Sequence, residues 1–371
     1  MRLILFLCVA VHACYIGSKV VVTLLAVKLG AGAATIGMLA ALYGVAPLVL
    51  GVHSGRLSDR AGTRLPMLIG AGLVLAAMLT GFLFQTIWGL MIVTFLLGMG
   101  FVYYNVAVQN YTGWYGPPEH RGRNFSWLSM AYSVSAFVGP VFAGTMIDQL
   151  GHGAAFLGFA GFTVSALVVL GFNPGFGSPA APASGNASHS MLDLLRNPPL
   201  RRVVIMSGLM VSAWELYVFY MPLHGTSIGL SASSIGWVLG VYAAAAFVVR
   251  FLLPWMLKFT TTVKLVSVAM ILGAATFVAL PWLKVLWLLI AASFMIGMLL
   301  GLCQPVMMML AFERSPEGRT GEVTGLRLTA NNVARIVVPV ISGAIGAAGG
   351  AAPVFWLNAV NLAIISWLAR R

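Results

Sequence analysis

Charge is what this chain has least of. Only 8% of its 371 residues are charged, with 8 Asp and Glu in all, whereas an ordinary soluble domain is about 25% charged. With 60% hydrophobic residues, a water-soluble fold could not cover its surface with polar groups. Cysteine is also scarce. Cys8, Cys14 and Cys303 lie inside apolar stretches at no metal-like spacing, so they read as small buried hydrophobes. His12, His53, His120, His152, His189 and His224 are scattered. No nucleophile triad, metal cluster or phosphate-cradling glycine loop is present, so neither catalysis nor ATP drive is expected, and no cofactor.

Long apolar runs are abundant. A membrane-spanning helix needs about 20 such residues, and lipid cannot satisfy open backbone groups, so the runs are helices. Twelve spans are predicted, near 3–27, 35–53, 65–85, 88–110, 125–147, 153–172, 203–223, 234–253, 264–281, 285–311, 323–347 and 353–369. The net charge of +13 suggests nucleic acid, but its distribution points elsewhere. With the N-terminus inside, most Lys and Arg fall on the cytoplasmic side; Lys28 and Lys284 fall outside, while Lys19, Arg250 and Arg335 lie within spans. This is the positive-inside bias. It predicts a multi-pass protein of the cell (inner) membrane with both termini cytoplasmic, in contact with lipid and not with nucleic acid.

The most specific segment is Gly55-Arg56-Leu57-Ser58-Asp59-Arg60-Ala61-Gly62-Thr63-Arg64, between the second and third spans. It resembles the G-x-L-[AS]-D-R-x-G-R-[KR] loop of the major facilitator superfamily, matching at Gly55, Leu57, Ser58, Asp59, Arg60 and Gly62. The resemblance implies an all-α membrane protein of twelve transmembrane helices in two six-helix pseudo-symmetric halves, moving a small molecule by alternating access. It implies that Asp59 latches near the N-terminus of span eleven, around Glu322 to Arg327, where helix N–H groups favour a carboxylate. Gly55 and Gly62 are expected to allow close approach and a tight turn, and Arg60 and Arg64 to meet lipid phosphates. Gly139-Pro140-Val141-Phe142-Ala143-Gly144 is similar to the G-P-x-x-x-G motif of the exporting, antiporter branches. There Pro140 removes a helix hydrogen bond, while Gly139 and Gly144 let the opposite half approach. One family element is missing: Thr94 stands where span four of the antiporters carries an arginine.

The halves repeat. Pro140 and Pro339, Gly144 and Gly343, and Gly122 and Gly321 are each 199 residues apart. Residues 1–172 and 203–371 are accordingly expected to form the two halves. Residues 173–202 form a cytoplasmic linker, with a short amphipathic helix at Met191–Arg196 that Pro198-Pro199 stops. In this family the substrate site lies between the halves near the midplane. A monomer is expected.

Charges inside the membrane cost at least about 2.5–3.5 kcal/mol each, so they are usually sheltered and functional. Three stand out: Lys19 in span one, Glu215 in span seven and Arg335 in span eleven. Glu215 maps by the repeat onto Ile16, close to the Lys19 face of a helix at 100° per residue, which makes Lys19 and Glu215 plausible neighbours. Glu215 is the expected proton-titrating or substrate-sensing carboxylate. Asn331 shares a face with Arg335. Tyr103, Tyr104 and Asn105 in span four and Gln304 in span ten are candidate cavity contacts. Tyr15, Trp214 and Tyr217 are a candidate aromatic wall. The reading is a proton-coupled exporter of a small organic molecule. Proton-coupled uptake of an organic anion is the alternative, on account of Lys19 and Arg335, and a non-transporting membrane receptor or assembly factor is a third.

Overall fold

The computed structural model describes residues 1–176, 191–315 and 320–370. Eleven α-helices account for nearly all of them: α1 (Arg2–Lys28), α2 (Ala33–Ala61), α3 (Arg64–Leu83), α4 (Ile87–Trp114), α5 (Arg121–Phe172), α6 (Pro198–Ser227), α7 (Ala232–Met256), α8 (Thr262–Ala279), α9 (Leu286–Glu313), α10 (Thr320–Gly349) and α11 (Ala351–Arg370). No strand occurs among the described residues. All eleven are long and apolar enough to cross a membrane. The predicted fifth and sixth spans are both inside α5, whose helical geometry breaks at Gly151 (φ 87°, ψ 174°). A glycine tolerates that conformation and other residues rarely do, so the twelve predicted spans are accounted for.

Two local expectations are corrected. The polar segment Gly55–Arg64 is not a loop through most of its length: α2 continues to Ala61, and the turn is confined to Gly62 (φ 74°) and Thr63. The helix extends because Ser54 and Ser58 face α4. Ser54 donates to the Val102 carbonyl at 3.2 Å, and Ser58 accepts from Asn110 at 3.0 Å. The second correction concerns the linker. Met191–Arg196 is 3₁₀ in geometry, and Pro198-Pro199 opens α6 instead of stopping a helix. Proline is tolerated in a first helical turn, where its missing N–H has no partner to lose. The remainder of the linker, 177–190, lies outside the described residues.

The helices group into two compact units. One comprises Met1–Ala31, Leu42–Gly185 and Gly229–Gly240; the other Gly32–Ala41, Asn186–Ile228 and Val241–Arg371. The grouping differs from a simple division at the linker, because the first turns of α2 and α7 are exchanged. In the first unit, the start of α7 lies on α5. A side chain on Gly236 would strike the Pro140 carbonyl, with the Gly144 Cα 3.4 Å from its Cβ. In the second unit, the start of α2 lies on α10 in the same way. A side chain on Gly37 would strike the Pro339 carbonyl, with the Gly343 Cα at 2.9 Å. Small residues allow this backbone approach, which is how membrane helices gain packing without a hydrophobic driving force. The two crossings are related by the same 199-residue shift. They differ at the helix starts: Asp148 accepts from the N–H groups of Ala232 (3.0 Å) and Ser233 (2.8 Å) at the start of α7, while its repeat counterpart is Ala347, and Tyr220 donates to the Ala33 carbonyl at the start of α2 (3.1 Å).

Candidate functional site: two polar centres

In the first unit, the polar centre forms around Lys19 on α1. Its side chain is only 1% exposed. The ammonium lies 5.0 Å from the Tyr15 ring centre and 5.6 Å from that of Tyr43, within the range of cation–π attraction. Tyr15 stacks on Phe101 at 3.8 Å and meets Tyr43 edge-on. Tyr43 and Ser18 are hydrogen-bonded at 3.0 Å. Next along α1, His12 contacts Phe101 and Tyr132. Tyr132 donates to Asn105 at 2.6 Å. The predicted residues Lys19, Tyr15 and Asn105 therefore lie along one aromatic-lined region of α1, α4 and α5.

In the second unit, α6 and α10 share a polar seam. Glu215, 6% exposed, lies 3.3 Å from the Nε of Arg335. The two are an ion pair by distance, but Nε is not aligned for a hydrogen bond, so the contact is loose. Two turns away, Ser207 donates to Asn331 at 2.9 Å and receives Arg327 at 3.4 Å. Residues 327, 331 and 335 recur every fourth position, which places them on one stripe of α10. Beside Glu215, Trp214 and Tyr217 both contact the Tyr242 ring, at 5.1 and 4.8 Å. Arg250, eight residues along α7, donates to Gln304 at 3.3 Å.

Several predicted residues are taken up by packing. Tyr104 is buried where α4 crosses α3 closely at Gly70. Tyr217 is fully buried and bonded to Ser293. Tyr103 is half-buried beside His53. Gly139 packs on Ala13 and Gly17 of α1 in its own half, whereas Gly144 does meet α7. Gly55 has open space around it, so the expected close approach there is absent. Gly62 makes the expected turn. Arg64, expected to meet lipid phosphates, donates to the carbonyls of Leu170 (3.1 Å) and Gly171 (2.8 Å), because the last carbonyls of a helix have no intrahelical partner. Asp59 and Arg60 are exposed near the end of α2. The side chains of Glu322 and Thr324, in the stretch expected to meet Asp59, lie outside the described residues.

Tyr43 and Tyr242 are not among the residues the sequence singles out. A signal for the tyrosines existed, since Tyr43 and Tyr242 are 199 residues apart. So are Gly98 and Gly297, which receive the backbones of Tyr43 and Tyr242 respectively. Arg250 was seen as an intramembrane charge, but nothing in the sequence connected it to Gln304.

A chain whose described residues form eleven helices able to span a membrane, on a duplicated scaffold with an ion pair between two of them, is a multi-pass membrane protein. The Major Facilitator Superfamily model matches residues 5–339 and 262–371, and the chain belongs to that superfamily of secondary transporters. Solved structures with the same fold include the nucleoside transporter NupG (15% identity, 100% of this chain and 98% of that one, TM-score 0.80). A POT family transporter in complex with a thioalcohol-conjugated peptide is similar too (16%, 99% and 94%, 0.81). So is a bacterial homologue of the human lysosomal transporter Spinster, in an inward-facing and unoccupied conformation (13%, 99% and 95%, 0.78). No curated protein matches the sequence closely enough to count as a relative.

Proposed function

We propose that the chain exports a small organic molecule in exchange for protons, by alternating access, as a monomer in the inner membrane with both termini cytoplasmic. The observation that carries this reading is the loose pair of Glu215 and Arg335 within the membrane. A carboxylate there is costly unless it is paired or protonated, so the proposed switch exchanges Arg335 for a proton at Glu215. Arg335 is the more accessible partner, with 36% of its side chain exposed, and is therefore the group a ligand can compete for. The G-P-x-x-x-G segment of α5, with Gly144 and Pro140 against α7, supports the exporting direction. The gradient supplies the drive, so no cofactor is required.

Uptake of an organic anion with protons is the second reading. It is favoured by Lys19, a buried cation among aromatic rings, together with Arg335. Proteoliposomes with an imposed pH gradient test both, using cationic drugs and small carboxylates as probes. Exchange of a compound against protons supports export. Proton-driven accumulation of a carboxylate replaces export with uptake, and absence of gradient-dependent flux for every probe counts against both.

A further inference from the structure

The second unit has a cavity of about 530 Å³ at the end that the charge bias predicts to face outward, a volume in the range of ligand pockets. The last turn of α6, the segment between α8 and α9, and the junction of α10 with α11 bound it. Two side chains and a helix start give it its polarity. Lys284 is exposed and makes no ion pair or hydrogen bond with a described residue. His224, by contrast, is only 5% exposed. Its Nε2 donates to the Leu283 carbonyl at 3.3 Å, which leaves Nδ1 as a lone-pair acceptor. That atom has no partner among the described residues and yet is not sealed from solvent, so it opens into the cavity that the residue lines. On the opposite wall α11 begins at Ala351 and Ala352, after the chain turns through Gly350 (φ 72°). The first N–H groups of a helix have no intrahelical partner and attract anions. No Asp or Glu is among the lining residues.

A cation without a counter-ion, beside open N–H groups, selects an anion. A lone-pair acceptor close by selects a ligand that also donates a hydrogen bond. A phosphate carrying a hydroxylated substituent meets both demands. The surrounding tryptophans indicate where such a group comes from. Trp282, next to the lining residue Pro281, and Trp356 of α11 have ring centres 5.8 Å apart, and both are exposed. Trp287, at the start of α9, is exposed as well. Tryptophans gather at the headgroup level of a bilayer, and basic pockets between transmembrane helices hold anionic headgroups.

We propose that this cavity binds the headgroup of an anionic phospholipid whose phosphate bears a hydroxylated substituent, as in phosphatidylglycerol. The phosphate accepts from the Lys284 ammonium and the first N–H groups of α11, and a headgroup hydroxyl donates to His224. The site is separate from the Glu215–Arg335 pair and does not depend on the substrate, direction or coupling of transport.

The test adds lipids to the purified full-length protein in micelles of a neutral detergent and reads the rise in melting temperature over each titration. Dioleoyl phosphatidylglycerol should stabilise the protein well beyond dioleoyl phosphatidylcholine. Dioleoyl phosphatidylmethanol, equal in charge but without a hydroxyl, should fall between them. Lys284→Gln changes an exposed position, so the lipid-free melting temperature should stay the same while phosphatidylglycerol binds about fivefold more weakly, the scale of one surface lysine against an anionic lipid. Lys28→Gln, at the other lysine predicted to lie outside, controls for general charge and should leave the binding unchanged. His224→Gln should bring phosphatidylglycerol down to the level of phosphatidylmethanol. Phosphatidylglycerol no better than phosphatidylcholine overturns the proposal, as does equal weakening by Lys28→Gln and Lys284→Gln. Phosphatidylmethanol equal to phosphatidylglycerol overturns the role given to His224. Glycerol 3-phosphate stabilising as strongly as the lipid overturns the assignment to a lipid in favour of a soluble phosphate.

Discussion

The crossings of α2 on α10 and of α5 on α7 are almost the same structure, whereas the polar centres beside them are not. Gly37 and Gly236, Pro140 and Pro339, and Gly144 and Gly343 keep their positions under the 199-residue shift, and so do Tyr43 and Tyr242. The chemistry does not repeat. Lys19 corresponds to Val218 and Glu215 to Ile16, so one half carries a cation among aromatic rings and the other a carboxylate paired with an arginine. The duplication therefore fixed helix packing, a demand both halves share.

The largest effects are expected at the non-repeated charges. Arg335→Ala removes the guanidinium 3.3 Å from Glu215, and because about a third of the Arg335 side chain is exposed the cost in stability lies below the ~3–5 kcal/mol typical of a fully buried pair. Transport in proteoliposomes should fall by at least an order of magnitude, with Arg335→Lys retaining part of it. Lys19→Ala should reduce transport less, by a few-fold to tenfold, because cation–π contacts are worth about 0.5–2 kcal/mol. An equal loss at Lys19 would mean the two centres contribute alike.

The repeated scaffold predicts matched effects. Gly37→Leu and Gly236→Leu should each destabilise by about 1–3 kcal/mol, the usual cost of overpacking, and by similar amounts in thermal unfolding of the purified protein. A large difference between them would show that the crossings are not equivalent. The smallest effect belongs to Asp148. Its two backbone contacts at the exposed start of α7 are worth roughly 0.3–1 kcal/mol, so Asp148→Ala should raise the labelling rate of a cysteine at position 233 by no more than a few-fold. Placing aspartate at Ala347 should give α2 a comparable restraint, and no change in labelling of a cysteine at position 34 would contradict that.

Much of the architecture is legible in the residues, for physical reasons. Apolar runs of spanning length identify the helices, and the shortage of charge makes Lys19, Glu215 and Arg335 conspicuous. Gly62 announced its turn. The partnerships were harder to read. Lipid-facing and protein-facing positions in these helices are both apolar, so periodicity does not reveal which face is inward, and Tyr104 and Tyr217 looked like cavity residues although they pack. The ion pair joins α6 to α10 across 120 residues of chain, which no local pattern encodes. Arg64 was expected to meet lipid phosphates, and only the folded chain brings it to the end of another helix.

In the proposed function, Glu215 couples transport to protons through its exchange between Arg335 and a proton. The most direct test is pH-gradient-driven flux in proteoliposomes, comparing the wild-type protein with Glu215→Gln for a compound the wild type moves. Wild-type flux should follow the gradient, whereas Glu215→Gln should still exchange the compound but no longer respond to the gradient. A Glu215→Gln protein with the wild-type rate and pH profile would contradict it.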